Sequence, residues 1–111
     1  MSDISQIDFA AARQHGRIRV VDVREDDEFA SGPVPGAVSI PMGQLTHRLA
    51  EIDPAQPVYV ICASGGRSAV TADGLMRRGF DAYSVVGGTR AWTKSGRSVD
   101  YGTDSSTVQG K

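Results

Sequence analysis

The chain alternates short apolar runs with segments whose apolar residues recur at helical spacing. Residues 58–61 form an unbroken apolar run, and residues 18–24 form a second run that is rich in β-branched side chains and ends in charge. Runs of this kind are typical of strands that are buried on both faces of a parallel sheet. We therefore expect two neighbouring strands whose polar ends lie at the same edge of the sheet, where such sheets bind ligands.

The rest of the pattern completes an α/β arrangement. Further short strands are expected near the start of the chain, before residue 41 and over residues 80–86. Helices are expected over residues 9–14, 25–30 and 44–52, from about Ser68 to Gly79, and from Gly87 onward. The alternation of strand and helix predicts a single α/β domain with a mostly parallel central sheet of about five strands and helices on both faces.

Length and charge restrict the possible functions. The 111 residues suffice for one domain, which we place at residues 1–99, and the polar residues 100–111 predict a flexible C-terminal tail. A net charge of −1 with interspersed acids and bases gives no basic surface for nucleic acid or a membrane. No apolar run is long enough to span a bilayer, and the first residues are too charged for a signal peptide, so the predicted location is cytoplasmic.

Cys62 is the only cysteine in the chain. A single cysteine excludes an internal disulfide, a multi-cysteine zinc site and an internal resolving thiol, and nothing in the sequence predicts a metal or a cofactor. Cys62 lies at the carboxyl end of the strand predicted over residues 58–61. One interpretation is a small buried hydrophobe, and the other is a reactive thiolate.

The residues after Cys62 favour the thiolate. Gly65 and Gly66 can adopt backbone angles that are closed to other residues, which lets successive N–H groups point at the sulfur. The helix that begins near Ser68 adds the positive end of its dipole, and Arg67 adds a permanent charge. We therefore expect the pKa of Cys62 to lie below that of a free thiol.

The loop resembles the active-site loop of single-domain rhodanese-type sulfurtransferases, in the residues Cys62-Ala63-Ser64-Gly65-Gly66-Arg67-Ser68. Residues 22–32, 32–37 and 87–92 resemble further segments of the same family. The resemblance covers residues 4–99 and implies a rhodanese-like domain, with Cys62 as the catalytic residue and residues 63–68 as the loop that binds substrate and persulfide. Protein tyrosine phosphatases place the arginine one position later, so the shorter loop favours a persulfide over a phosphate.

The resemblance implies transfer of sulfane sulfur from thiosulfate, or from another persulfide donor, to a thiophilic acceptor such as cyanide or a protein thiol. The sulfur would be carried as a persulfide on Cys62. An alternative function is a persulfide carrier or protein-interaction module that a partner loads, with incidental turnover of thiosulfate. A third possibility, chemistry on phosphate or arsenate, is disfavoured by the short loop and the lack of a second cysteine.

The resemblance also suggests that Asp22, Arg24 and Trp92 support the pocket. Asp22 and Arg24 also fit a purely structural role, which is favoured, in which Asp22 caps the helix at residues 25–30 and Arg24 pairs with Glu28. Trp92 fits either a core position or a pocket wall.

The chain departs from the family pattern at two positions. Pro33 stands where a histidine is usual, which removes any hydrogen bond made by that ring. Ala63 stands where many thiosulfate-using relatives carry a cation, which predicts weak binding of thiosulfate or a larger donor or acceptor. His15 is expected in the last turn of its helix, as a partner of the helix dipole or a surface residue, and His47 on a solvated helix surface, rather than in the site.

Overall fold

Five parallel strands form the centre of the computed structural model, which describes residues 3–14 and 18–97 of the chain. In chain order they are β1 (Asp3–Ile4), β2 (Arg19–Asp22), β3 (Val38–Ser39), β4 (Val58–Ile61) and β5 (Ala82–Val85). Across the sheet they lie in the order β1-β5-β4-β2-β3, and each neighbouring pair is parallel. The predicted α/β architecture with a parallel sheet is confirmed.

The two strands that the sequence predicts most clearly, β2 and β4, are neighbours near the middle of the sheet. Their register pairs Asp22 with Ile61, and the amide of Val23 donates a hydrogen bond to the carbonyl of Ile61 at 3.0 Å. Both strands therefore end at the same level. The residues that follow them, including Cys62, lie at one edge of the sheet.

Helices cover both faces of the sheet. They are α1 (Gln6–Gln14), α2 (Asp26–Ala30), α3 (Gly66–Arg77) and α4 (Gly88–Lys94), with a 3₁₀ helix at Met42–Glu51. On one face, α1 and α4 bury Phe9 and Trp92 in a cluster that includes Ile61. On the other face, α3 and the 3₁₀ helix cover a cluster that includes Val60 and Cys62. Ile61 and Cys62 thus serve opposite faces, because successive side chains of a strand alternate.

Several predicted elements differ from the structure in type or at their ends. The helix expected over residues 44–52 is a 3₁₀ helix, and Arg48 interrupts it with φ −119° and ψ 19°. Such helices are stable only in short pieces, so the kink lets two short turns bring Leu45, Leu49 and Ile52 to the core. Helix α3 starts at Gly66, before the start expected near Ser68, and β2 and β5 are shorter than predicted.

Some expectations concern residues outside the described ranges. These are the position of His15, the helix end at Gly16 and the C-terminal tail at residues 100–111. Within residues 3–14 and 18–97, no helix has both the length and the apolar character needed to cross a membrane.

Candidate active site

Cys62 follows β4 directly at the carboxyl edge of the sheet, and only 1% of its surface is exposed. Its Sγ atom accepts hydrogen bonds from the amide of Gly65 at 3.1 Å and from the amide of Ser68 at 3.3 Å. The hydroxyl of Ser68 lies 3.5 Å from the same sulfur. Loop donors therefore surround the sulfur, in an arrangement that stabilises negative charge.

The loop turns back on the sulfur at Gly65, whose φ of +110° is rarely adopted by other residues. Gly65 is also the N-terminal cap of α3, so the same turn directs the chain into the helix. Gly66 is not a positive-φ glycine, and a side chain at its position would meet open space. The expectation of two unusual glycines is therefore wrong, and Gly65 alone closes the loop.

The hydrogen bonds around the sulfur outweigh its burial. Burial raises the pKa of the Cys62 thiol, whereas hydrogen bonds from the Ser68 hydroxyl and from three loop amides lower it; the net pKa lies below that of an ordinary thiol. The three amides are those of Ser68, Gly65 and Ser64. Because the thiolate is the nucleophilic form of cysteine, a lowered pKa increases the reactive fraction at neutral pH.

A second buried hydroxyl holds the hydroxyl of Ser68. The Oγ atoms of Ser68 and Ser84 lie 2.8 Å apart, and the two residues are 0% and 3% exposed. The hydroxyl of Ser68 also donates to the carbonyl of Gly65 at 3.2 Å. When Ser84 donates to Ser68, the single proton of Ser68 is left for either that carbonyl or a thiolate at Cys62. Ser84 was not predicted as a site residue, since a lone serine within a strand carries no pattern.

Arg67 pairs with Glu28 of α2. Its Nη1 and Nη2 atoms donate to the two carboxylate oxygens at 2.7 and 2.9 Å, and the two side chains are 36% and 34% exposed. The hydrogen bond from Arg67 lowers the pKa of Glu28 to about 2. Glu28 in turn raises the pKa of Arg67, and the charge of Cys62 adds to this effect. The expected positive charge of Arg67 is therefore balanced by the carboxylate of Glu28.

Asp22 and Arg24 form a buried ion pair after β2, where they are 0% and 5% exposed. The Nε and Nη2 atoms of Arg24 donate to the carboxylate at 2.8 to 3.1 Å. The amide of Arg24 donates to the same carboxylate at 3.0 Å. The expected pair between Arg24 and Glu28 is therefore wrong. Asp22 does not cap α2 either, because Glu25 caps it in a reciprocal capping box with Glu28.

The start of α4 supports the other side of the loop. The amide of Thr89 donates to the carbonyl of Cys62 at 2.8 Å, and the amide of Arg90 donates to the carbonyl of Ala63 at 3.0 Å. This close approach requires glycine at position 88, since a Cβ there would lie 2.6 Å from the carbonyl oxygen of Ala63. Gly88 thus joins α4 to the loop that carries the cysteine.

Trp92 lies on the face of the sheet opposite to Cys62. It is 3% exposed, and its ring packs edge-on against Phe9 with a centroid distance of 5.4 Å. The guanidinium carbons of Arg13 and Arg97 lie 5.2 and 5.3 Å from the ring centroid. Trp92 therefore packs in the core, and any support that it gives to the pocket acts through α4.

The remaining positions of interest lie around the rim or away from it. Ala63 is half-buried and Ser64 is exposed. Because both side chains are uncharged, neither position places a charge at the rim. Pro33 is buried after α2, and His47 is exposed on the 3₁₀ helix. Among the residues that the structure describes, no group of three or more His, Cys, Asp or Glu side chains is placed to hold a metal ion.

Comparison with known proteins identifies relatives of this chain. The family model described as "Rhodanese-like domain" matches residues 5–95. "Putative sulfurtransferase YtwF" of Bacillus subtilis is 35% identical over 94 residues, which are 81% of this chain and 91% of that protein. "Putative sulfur carrier protein YrkF" of the same organism is 35% identical over 97 residues, or 83% of this chain. The chain spans only 52% of the length of YrkF.

Solved structures show the same fold. A rhodanese-related protein from Thermoplasma volcanium has a TM-score of 0.85 and 28% identity, over 91% of this chain and 99% of that one. A rhodanese-like domain protein from Staphylococcus aureus has a TM-score of 0.84 and 32% identity, over 93% of this chain and 100% of that one. Since the family model matches nearly all of the described residues, and the five-stranded parallel sheet is shared, the chain belongs to the rhodanese-like domain family.

Proposed function

We propose that the protein is a sulfurtransferase that carries sulfane sulfur as a persulfide on Cys62. The observation that carries this proposal is the convergence of the Gly65 amide, the Ser68 amide and the Ser68 hydroxyl on one buried sulfur, at 3.1 to 3.5 Å. A thiolate of lowered pKa without a second cysteine suits a reaction in which the attached sulfur leaves to another molecule. Membership of the rhodanese-like family and similarity to the putative sulfurtransferase YtwF and the putative sulfur carrier YrkF support sulfur transfer.

Thiosulfate is the donor that we propose for the loading step. The thiolate of Cys62 attacks the outer sulfur of thiosulfate, the S–S bond of thiosulfate breaks, and sulfite leaves with the electron pair of that bond. The protein is left with the persulfide anion Cys62–S–S⁻, and the total charge is the same on both sides. Amide donors of the loop stabilise this anion as they stabilise the thiolate.

An acceptor then removes the sulfur. Cyanide or a thiolate, which can belong to a protein, attacks the outer sulfur of the persulfide, and Cys62 leaves as a thiolate with the electrons of the broken S–S bond. Cyanide becomes thiocyanate, and a thiolate becomes a new persulfide anion. A cysteine of lowered pKa is a better leaving group, so the donors around its sulfur assist this step as well.

A carrier that a protein partner loads is the second candidate function. Ala63 favours it, because this half-buried, uncharged rim residue offers no attraction for a thiosulfate dianion. Similarity to YrkF, a putative sulfur carrier protein, also favours it. The two functions differ in their donor: rapid turnover with thiosulfate supports the enzyme, and loading only by a desulfurase supports the carrier.

Intact-mass spectrometry tests both candidates. After incubation with thiosulfate, the wild-type protein should gain the mass of one sulfur atom and lose it to cyanide or dithiothreitol. The Cys62→Ser variant should gain none, because a serine hydroxyl is not ionised at neutral pH. Sulfur transfer by the serine variant would refute the role of Cys62 in both functions.

A further inference from the structure

A cavity of about 400 Å³ lies beside the Cys62 loop, between the segment after α2 and the start of α4. It is lined by Gly32 and by six residues whose side chains are cationic or carry a hydroxyl: Arg24, Arg90, Lys94, Ser31, Thr89 and Thr93. Two of them join the cavity to the loop, since the amides of Thr89 and Arg90 donate to the carbonyls of Cys62 and Ala63. The proposed sulfur transfer assigns no role to these side chains.

The charge of the lining is positive. Of the described residues that line the cavity, three are cationic and none is acidic. Arg90 and Lys94 are exposed, and neither forms an ion pair with a residue in the described ranges. The excess positive charge of the cavity therefore comes from α4.

Arg24 adds a hydrogen-bond donor to this charge. It is 5% exposed, and Asp22 binds its Nε and Nη2 atoms. Its Nη1 atom makes no hydrogen bond to any residue that the structure describes. Because Asp22 balances the charge of Arg24, the guanidinium contributes a fixed N–H donor more than a net charge.

We propose that this cavity binds the carboxylate end of a small acceptor thiol, an inference that rests on the proposed sulfur transfer through Cys62. A cavity of about 400 Å³ falls within the range of small-molecule sites. A water molecule takes up about 30 Å³ in the liquid, so this cavity has room for many more atoms than thiosulfate or cyanide contains. Neither molecule would fill it alone. Guanidinium, ammonium and hydroxyl donors match carboxylate oxygens, and a thiol held there lies beside the loop that carries the persulfide.

The transfer itself is balanced without any further reactant. The acceptor thiolate forms a bond to the outer sulfur of the persulfide, the bond from that sulfur to Cys62 breaks, and Cys62 leaves with its electron pair. One persulfide anion and one thiolate stand on each side. The carboxylates of the acceptor stay in the cavity and do not react.

Steady-state kinetics with two acceptors test this inference. Mercaptosuccinate carries two carboxylates, and 2-mercaptoethanol carries none. The readout is the ratio of the KM for mercaptosuccinate to the KM for 2-mercaptoethanol, measured with thiosulfate as donor. Arg90→Glu and Lys94→Glu should each raise this ratio about fivefold at low ionic strength, and added salt should reduce the effect. Because each thiol is compared between variants, its own reactivity cancels.

The matched control is Arg78→Glu, which makes the same charge change at an exposed position at the C-terminal end of α3, outside the cavity. This variant should leave the KM ratio unchanged. An unchanged ratio in the Arg90 and Lys94 variants, or an equal rise in the Arg78 variant, would overturn the inference.

A binding experiment separates this inference from the proposed function. The Cys62→Ser variant cannot carry sulfur, yet it keeps the cavity, so succinate should shift the NMR signals of the amides of Thr89, Arg90 and Thr93. Such shifts, together with a wild-type protein that gains no sulfur from thiosulfate, would support the anion site and overturn the sulfur transfer. Sulfur transfer with an unchanged KM ratio and no shifts would support the enzyme and overturn the cavity as a binding site.

Discussion

The sulfur of Cys62 is subject to two opposing effects, since burial disfavours its charge and hydrogen bonds favour it. Ser68 supplies two of the bonds that favour the thiolate, one from its amide and one from its hydroxyl. Ser68→Ala removes the hydroxyl and keeps the amide, so the pKa of Cys62 should rise. Alkylation of Cys62 by iodoacetamide at pH 7 should slow about tenfold, as expected for one hydrogen bond to a charged group.

Ser64→Ala is the control for this experiment, because Ser64 contributes its amide while its side chain is exposed. Its alkylation profile against pH should match that of the wild type. If Ser68→Ala gives the wild-type profile too, the hydroxyl of Ser68 does not stabilise the thiolate.

The ion pair between Arg67 and Glu28 predicts a compensating pair of substitutions. Arg67→Ala leaves the carboxylate of Glu28 unbalanced near the loop, which should raise the pKa of Cys62 and slow its alkylation about twofold. The double variant Glu28→Gln/Arg67→Ala removes both charges and should return the rate to near that of the wild type. A double variant as slow as Arg67→Ala would show that Arg67 acts on the sulfur directly.

The pH range over which the ion pair between Arg67 and Glu28 stays intact follows from the pKa of Glu28, which Arg67 lowers to about 2. A carboxylate whose pKa is lower in the folded than in the unfolded protein stabilises the fold above its unfolded pKa. This stabilisation is lost as the pH falls through its folded pKa. The pair should therefore remain intact from neutral pH to well below pH 4.

The uncharged rim at Ala63 predicts a gain from an added cation. Ala63→Arg should lower the KM for thiosulfate about twofold to fivefold, because a partly exposed charge attracts the dianion by about 0.5 to 1 kcal/mol. The gain should shrink as salt is added. A KM that is unchanged or higher at low ionic strength would remove Ala63 as an argument for the carrier.

The residue partnerships show where the sequence is informative. Cys62 and its donors lie within seven consecutive positions, so a local pattern suffices to group them. Glu28 and Arg67 lie 39 positions apart, and only the fold brings them together. Helical spacing suggested that Arg24 pairs with Glu28, yet Arg24 precedes α2 and helical spacing does not apply to it. Its short-range partner is Asp22.

At the scale of elements, the contact between α4 and the Cys62 loop depends on Gly88. Its φ of +59° disfavours a side chain, and its contact with the loop carbonyls leaves no room for one. Gly88→Ala should therefore weaken the bonds from Thr89 and Arg90 to the loop and add strain. We expect a loss of about 3 kcal/mol or more, which lowers the melting temperature by at least about 10 °C, together with reduced sulfur transfer.

Gly36→Ala separates conformational strain from the clash. Gly36 has a φ of +85°, but a Cβ at this position meets nothing within 4 Å. This variant should lose only about 1 kcal/mol and keep its sulfur transfer. Equal losses in stability and activity for both variants would show that the contact of α4 with the loop is unimportant.

Elements that are buried on both faces are the easiest to predict from the sequence. The central strand β4 has the predicted bounds, because its unbroken apolar run is buried on both faces. The 3₁₀ helix has the predicted location but not the predicted type. The positions of Leu45, Leu49 and Ile52 specify only which side chains reach the core, and two short turns achieve this as well as one α-helix.

At the scale of the molecule, the two faces of the sheet have different roles, since one holds the reactive cysteine and the other packs the aromatic core. The face under α3 holds Cys62 and the donors of its loop, while the face under α1 and α4 buries Phe9 and Trp92. Helix α4 connects them, since Trp92 anchors it on one face and its first amides bond to the loop. The sequence predicted the layers, whereas this connection depends on long-range contacts that no local pattern contains.

The position of the core predicts that the last ten residues can be removed. The described buried core extends from Phe9 to Trp92, the family match ends at residue 95, and residues 102–111 contain only one large apolar residue, Val108. A chain that ends at Tyr101 should therefore keep its sulfur transfer and its melting temperature. A truncation that also removes Trp92 should lose more than the roughly 3 to 5 kcal/mol expected for replacing one buried aromatic side chain by alanine, because it also removes the end of α4. A fall of more than about 4 °C in the shorter truncation, equivalent to roughly 1 kcal/mol in a domain of this size, would show that residues 102–111 stabilise the domain.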